Sequence, residues 1–209
     1  DYATCQSLYQ NEAPAGAFHT DQSVAIAARL GAGSVHFSLD AACASALYVL
    51  QIAQHLLATR QVDSVVCAGI CFPDPQYVVG GFTTFNAISA THARPFDAQT
   101  DGLTYGDGVA AFVVRRSQDA LERGDTVCGV ITHIQTNNAG TGGVFSPSKD
   151  AQMACMRTAA APVPTFLECH ATGTPLGDRC EAEGVEAVYG AVPVGSVKAL
   201  IGHTLNTAG

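Results

Sequence analysis

Short apolar runs alternate with longer helical patterns along most of this chain, and that alternation is met by a layered α/β fold. Val35, Phe37 and Leu39 alternate with His36 and Ser38, so the spacing predicts a strand over 35–39. Leu47, Leu50, Ile52 and Leu56 carry a helical pattern over 45–57. Further strands are expected over 64–68, 109–114, 128–135, 165–169 and 192–197. Ser117 is expected to cap a short helix that stops at Gly124, and Ser148 to cap one running to about Ala161, where Pro162 and Pro164 end it. A last helix is expected over about 179–189. Residues 1–20 read as irregular, and 71–107 hold Gly, Pro and Phe without a long periodic segment, the mark of a functional loop. A strand, loop and helix recur around Cys43 and again around His170, as two related halves would produce.

Only 13% of the residues are charged, against about 25% in an ordinary soluble domain. Much of the surface is therefore expected to be covered by something else. The formal charge is −8, and the 10 basic residues collect nowhere, which excludes a nucleic-acid-binding role. No run approaches the roughly 18 apolar residues of a membrane helix, and no basic stretch leads an apolar one at the N-terminus, so no membrane association is expected. The eight cysteines lie mostly inside apolar runs such as Val65-Val66-Cys67-Ala68, the pattern of reduced, buried thiols in a cytoplasmic protein rather than of a disulfide framework. Cys67 and Cys71 are the only close pair, with no second pair beside them, so no metal site is expected.

Three residues stand where chemistry is possible. Cys43 lies at the turn between an apolar strand pattern and a helix, where free backbone N–H groups and the helix dipole would stabilise a thiolate. Such a turn also resembles a nucleophile elbow. The small neighbours Ala41, Ala42, Ala44 and Ser45 fit a closely packed structural cysteine equally well. His170 opens a loop of two threonines and two glycines, suited to holding a polar ligand, and His203 ends a similar unit with Lys198 five residues before it. Each histidine alone also fits a hydrogen-bonded structural role. Together, a cysteine and two loop histidines suit acyl transfer through a thioester, among other Cys-His chemistry.

The strings Asp40-Ala41-Ala42-Cys43-Ala44-Ser45, Glu168-Cys169-His170-Ala171-Thr172-Gly173-Thr174-Pro175-Leu176-Gly177-Asp178 and Ser196-Val197-Lys198-Ala199-Leu200-Ile201-Gly202-His203 resemble, in order, the three active-site motifs of β-ketoacyl synthases. Arg94-Pro95-Phe96-Asp97 and Asp101-Gly102-Leu103-Thr104-Tyr105-Gly106-Asp107-Gly108 resemble that family's central segment. The wording resembles the ketosynthase domains of multidomain polyketide synthases and polyunsaturated fatty acid synthases more than stand-alone fatty acid synthase enzymes. The resemblance implies a thiolase-like fold layered α-β-α-β-α in two similar halves, here 1–118 with the cysteine and 119–209 with the two histidines, truncated at both ends. It further implies a homodimer and a decarboxylative Claisen condensation. Cys43 would take an acyl chain from the phosphopantetheine arm of an acyl carrier protein, and His170 and His203 would promote decarboxylation of a malonyl-type extender. Lys198 and Glu181 would support the site, Lys198 by holding the His170 loop, and Thr172 and Thr174 would bond the pantetheine arm.

No metal or diffusible cofactor is implied, and other synthase domains are expected in the whole protein. The resemblance also implies strands before Asp1 and a Gly- and Phe-rich loop after Gly209, so the chain is expected to be a fragment of marginal stability. Connections at 159–164 and 190–193 are shorter than the family's. Three alternatives stay open: a catalytically silent dimer partner of the chain-length-factor type, another thiolase-fold acyltransferase, and a Cys-His hydrolase. Cys43 argues against the silent partner, and the pairing of His170 with His203 against other thiolase-fold enzymes.

Overall fold

The computed structural model describes residues 22–33, 35–72, 75–140, 143, 146–159 and 162–209. The expectation for 1–20 lies outside them. In chain order the elements are α1 (Gln22–Leu30), α2 (Ser45–Ala58), β1 (Ser64–Cys71), α3 (Pro75–Thr84), β2 (Gly108–Arg115), α4 (Ser117–Arg123), α5 (Lys149–Thr158), β3 (Leu167–Glu168), α6 (Pro175–Tyr189), β4 (Val194–Gly195), α7 (Lys198–Ile201) and a 3₁₀ turn (Leu205–Thr207). Strands and helices alternate as an α/β fold requires. None of the described helices is long and apolar enough to cross a membrane.

Two packing units carry the site. In the first, β1 pairs antiparallel with β2 from Ser64↔Arg115 to Cys71↔Gly108. Helix α2 and the 3₁₀ turn lie against β1, burying Ala53, Leu57 and Cys67. Gly69 lets the turn approach, since a Cβ there would stand 3.2 Å from Thr207 Cα. In the second unit β3 runs parallel to β4, and α5 packs on α6. Its core is Cys169, Ala171 and Val185, with Phe96, Met156, Leu167, Tyr189 and Val192 around them.

Several expectations are corrected. Residues 35–39 and 128–135 are not strands, and Val35, Phe37, Val130 and Ile131 are exposed. Alternation makes a segment fit for a sheet, but a strand needs a neighbour to complete its ladder, and neither segment pairs with a strand among the described residues. Helix α3 occupies part of the passage expected to be loop. Pro75 at its start supplies a pre-set φ, and paired Gly80 and Gly81 had hidden its period. Ser117 is the first residue of α4 and not its cap. Arg116 takes the cap position and uses its guanidinium elsewhere, on the carbonyls of Leu57 and Val62 and on Asp63 and Asp119. Ser148 does cap α5, its hydroxyl accepting from Ala151 N at 3.2 Å, and Gly124 ends α4 with φ 69°. Helix α6 begins four residues before the expected start, with Pro175 in its first turn.

The loop between α3 and β2 binds the two units. Leu103 N donates to Ala87 O at 2.7 Å and Ser89 N to Leu103 O at 2.9 Å, closing the loop on itself. Phe96 N then donates to Asp178 Oδ2 at 2.8 Å and Thr100 Oγ1 to Gly173 O, tying it to the start of α6. The low charge has a visible counterpart in Val109, Phe112 and Val113 on β2 and Leu200 on α7, all exposed.

Candidate active site

Cys43 sits two residues before α2, in a turn held by its neighbours' polar groups. Ala42 adopts φ 51°, a left-handed conformation rare for a residue with a Cβ. It is kept there because Asp40 Oδ1 accepts from Ala42 N at 2.8 Å, while the buried Ser45 hydroxyl accepts from Ala41 N and donates to Ala42 O. The N–H groups of Ala44 and Ser45 are used inside the turn, on Ala41 O and Ala42 O. This is the tight turn expected before a helix, although no strand leads into it.

His170 follows β3. Its backbone N–H and that of Ala171 both donate to the Glu181 carboxylate, at 2.8 and 2.7 Å, across one turn of α6. Next in the loop, Gly173 has φ 89°, and a Cβ there would stand 2.6 Å from Gly102 O. Asp178, almost wholly buried, accepts from both Gly173 N and Phe96 N, so one carboxylate joins the histidine loop to the 86–107 loop. Thr172 is buried and its hydroxyl lies 3.2 Å from that of Thr174, so each satisfies the other.

His203 is the most enclosed member, 2% exposed. Its N–H donates to Thr104 O at 2.7 Å and its carbonyl accepts from Gly106 N at 3.0 Å, a short parallel bridge that pins the residue from both sides. Its Nε2 lies 3.0 Å from Cys43 Sγ, a contact between residues 160 positions apart. The His170 ring stands edge-on to it, with centroids 5.2 Å apart. Lys198 is buried at the start of α7, in electrostatic reach of Cys43, Cys169, Glu168 and Glu181. Cys43, His170 and His203 thus gather around one point, with Lys198 in electrostatic reach and Glu181 on the backbone of the His170 loop. The two threonines sit on the loop that His170 opens, turned toward each other.

Charge in this pocket is set by burial first. His203 is pushed down to about 3 by burial, then by His170 and Lys198. His170 is pushed down to about 4 by burial, then by Lys198, with Asp178 opposing. An exposed edge of His170 lets solvent offset part of that depression. Both imidazoles are therefore neutral near pH 7. Burial also raises the Cys43 thiol, more than its own backbone N–H and Lys198 lower it. That reverses the expected direction, because burial of the sulfur outweighs the one backbone N–H that faces it, the turn having used the N–H groups of Ala44 and Ser45.

The consequence is measurable. Only the thiolate reacts with iodoacetamide, so alkylation of Cys43 is expected to rise with pH through a midpoint above that of a free thiol. Lys198→Met removes a lowering charge and should move the midpoint higher still. A midpoint below the free-thiol value would show a thiolate–imidazolium pair instead.

Sequence reasoning did not single out Asp178, Gly106, Ser45 or Asp40. Asp178 and Asp40 stood inside the quoted strings, but nothing in a string tells which carboxylate turns inward to accept backbone N–H groups.

Comparison with known proteins agrees with the geometry. The family profile described as "Beta-ketoacyl synthase, N-terminal domain" matches residues 2–120, and "Beta-ketoacyl synthase, C-terminal domain" matches 128–209. A polyunsaturated fatty acid synthase chain of a Thraustochytrium species is 38% identical over 201 residues, covering 90% of this chain and 10% of that protein. The solved structure "PfaC Keto synthase-Chain length factor" superposes with a TM-score of 0.77 at 35% identity, over 85% of this chain and 21% of that one. The ketosynthase from module 6 of the bacillaene synthase of Bacillus subtilis superposes with a TM-score of 0.81 at 26% identity, over 90% and 36%. The chain spans a tenth or less of the length of the curated relatives it matches, down to 3%.

Proposed function

This chain belongs to the β-ketoacyl synthase family and has its thiolase-like α/β fold, and from that premise we propose that it is the condensing core of a polyketide or polyunsaturated fatty acid synthase. The observation that carries the reading is the 3.0 Å contact of Cys43 Sγ with His203 Nε2, with the His170 ring edge-on beside it. In the first step Sγ attacks the thioester carbonyl of an acyl chain delivered on a carrier protein. The S–H proton leaves as the bond forms, and neutral His203 is within reach to take it. The pantetheine thiol departs and Cys43 is acylated.

In the second step a malonyl-type thioester loses carbon dioxide. The electron pair of the broken C–C bond moves toward the thioester oxygen as an enolate. Imidazole N–H groups fixed in place beforehand lower that barrier because they need no reorganisation as charge develops. The enolate carbon then attacks the acyl carbonyl on Cys43, and the thiolate leaves with the β-ketoacyl product released. Thr172 and Thr174 face the pantetheine arm in this reading once their mutual bond is exchanged. The carrier protein is the partner, a second copy of the protein completes a homodimer in the cytoplasm, and residues 1–118 and 119–209 form the two halves. No cofactor enters the scheme.

The test is incubation with a short acyl-pantetheine thioester and then a malonyl thioester, with products read by mass spectrometry. Acyl label on Cys43 followed by a β-ketoacyl thioester and carbon dioxide is expected. Free acid without any need for the malonyl thioester would identify a hydrolase, and the absence of label a silent partner.

Glu181 is a positioning residue here, acting through two backbone N–H groups. Glu181→Ala should leave both without an acceptor, shift His170 and lower condensation about 100-fold. Glu181→Gln, keeping one acceptor oxygen, should recover part of this. Acylation of Cys43 should hardly change in either, because the 43–203 contact does not pass through Glu181. Equal losses in acylation and condensation would mean a general structural role.

A further inference from the structure

We propose that Cys43, His170 and His203 also form a binding site for a soft divalent cation such as Zn²⁺, and that occupancy silences the thiol. The Cys43 sulfur and one ring nitrogen of each histidine all lie within 4.8 Å of one another, the one such cluster among the described residues. Tetrahedral zinc with bonds of about 2.0–2.3 Å separates neighbouring N and S ligands by about 3.3–3.6 Å. The 3.0 Å between Sγ and His203 Nε2 is close to that spacing. One thiol and two imidazoles, with a fourth position left for water, are the donor set and open coordination of an exchangeable zinc site. Sulfur and imidazole nitrogen favour Zn²⁺ or Co²⁺ over Mg²⁺.

The three ligands are held by separate clamps: Ser45 and Asp40 on the Cys43 turn, Glu181 on His170, and Thr104 with Gly106 on His203. Exposed His170 gives an ion its way in. Two features limit affinity. Lys198 places a like charge near the sulfur, and the buried His203 Nδ1 has no hydrogen-bond partner among the described residues, so it lacks the acceptor that usually supports a zinc-bound imidazole. Binding is thus reversible and inhibitory rather than structural. On binding, the S–H bond breaks, an S–Zn bond forms and the proton goes to the buffer, with no change in oxidation state. The sulfur lone pair that would attack a thioester is then engaged by the metal.

The test is iodoacetamide alkylation of the chain with Zn²⁺ or Mg²⁺, all eight cysteines being read separately by mass spectrometry. Zn²⁺ is expected to slow Cys43 about tenfold or more, Mg²⁺ to have no effect, and a chelator to restore the rate, while His170→Ala should need about 10–100-fold more Zn²⁺. Co²⁺ bound to the unaltered chain should show a thiolate charge-transfer band that Cys43→Ser lacks. Undiminished Cys43 reactivity in Zn²⁺, equal protection of exposed Cys128, or a Co²⁺ spectrum without the thiolate band would overturn the proposal. Acylation measured without metal is an independent readout: metal capture without acylation removes the condensing function alone, and acylation without metal capture removes this site alone.

Discussion

Cys43→Ala is expected to abolish acyl labelling from a pantetheine thioester and to lower condensation by at least about 10³-fold, because a covalent intermediate has no substitute once its nucleophile is gone. Among the described residues no other thiol is expected to compensate, burial raising Cys155 and Cys180 as well. Cys67 and Cys169 are buried, and burial pushes them up to about 11 and about 12. Cys71 is raised by burial too, and Cys128 is exposed and should label only at the uncatalysed rate. The fold should survive, since the change keeps the turn and gives up a hydrogen bond to His203, at a cost of about 1 kcal/mol. Mass spectrometry of each cysteine, beside thermal unfolding followed by circular dichroism, reads both effects. Undiminished acyl transfer through another cysteine would place the nucleophile elsewhere.

The second large effect needs no change to a reacting group. In Gly106→Ala the new Cβ would stand 2.1 Å from the carbonyl oxygen of Ile201, backbone that cannot turn aside as a side chain could. The segments in contact around it must separate, and they include the pair that fixes His203, Gly106 N to His203 O and His203 N to Thr104 O. A displacement of about 1 Å at a catalytic group costs about 100-fold in rate, and overpacking of this kind typically costs about 1–3 kcal/mol in stability. Gly80→Ala is the control. Nothing lies within 4 Å of the Cβ it would add, and alanine in a helix interior is favoured over glycine by about 0.5–1 kcal/mol. Wild-type condensation by Gly106→Ala would show that this bridge does not set the position of His203.

How much of this was legible follows from what kind of signal each part emits. Helix α2, the β1 and β2 cores, the Ser148 cap and the Gly124 stop are local, so periodicity and end signals found them. Residues 35–39 and 128–135 misled because a β pattern states only that a segment could pair, and pairing is a property of two segments. Helix α3 was missed for the opposite reason: paired Gly80 and Gly81 weaken the local pattern, although Pro75 starts the helix and Val78 turns inward. At the site, Cys43, His170, His203 and Lys198 could be picked out from the three quoted strings, and Glu181 from the helix that follows the second. The protonation of the cysteine could not, because it depends on which amides the turn consumes and on how deeply the sulfur lies.

Spacing and side-chain type along neighbouring positions were thus enough for the α/β alternation and for candidate residues, and the resemblance of the quoted strings for the family. It took the folded chain to establish that His203 meets Cys43 across 160 residues, that Glu181 and Asp178 turn inward to hold the histidine loop, and that Gly106 must lack a side chain. Those facts arise from distances between segments far apart in the chain, and burial and hydrogen bonding there outweigh any local preference for charge or conformation.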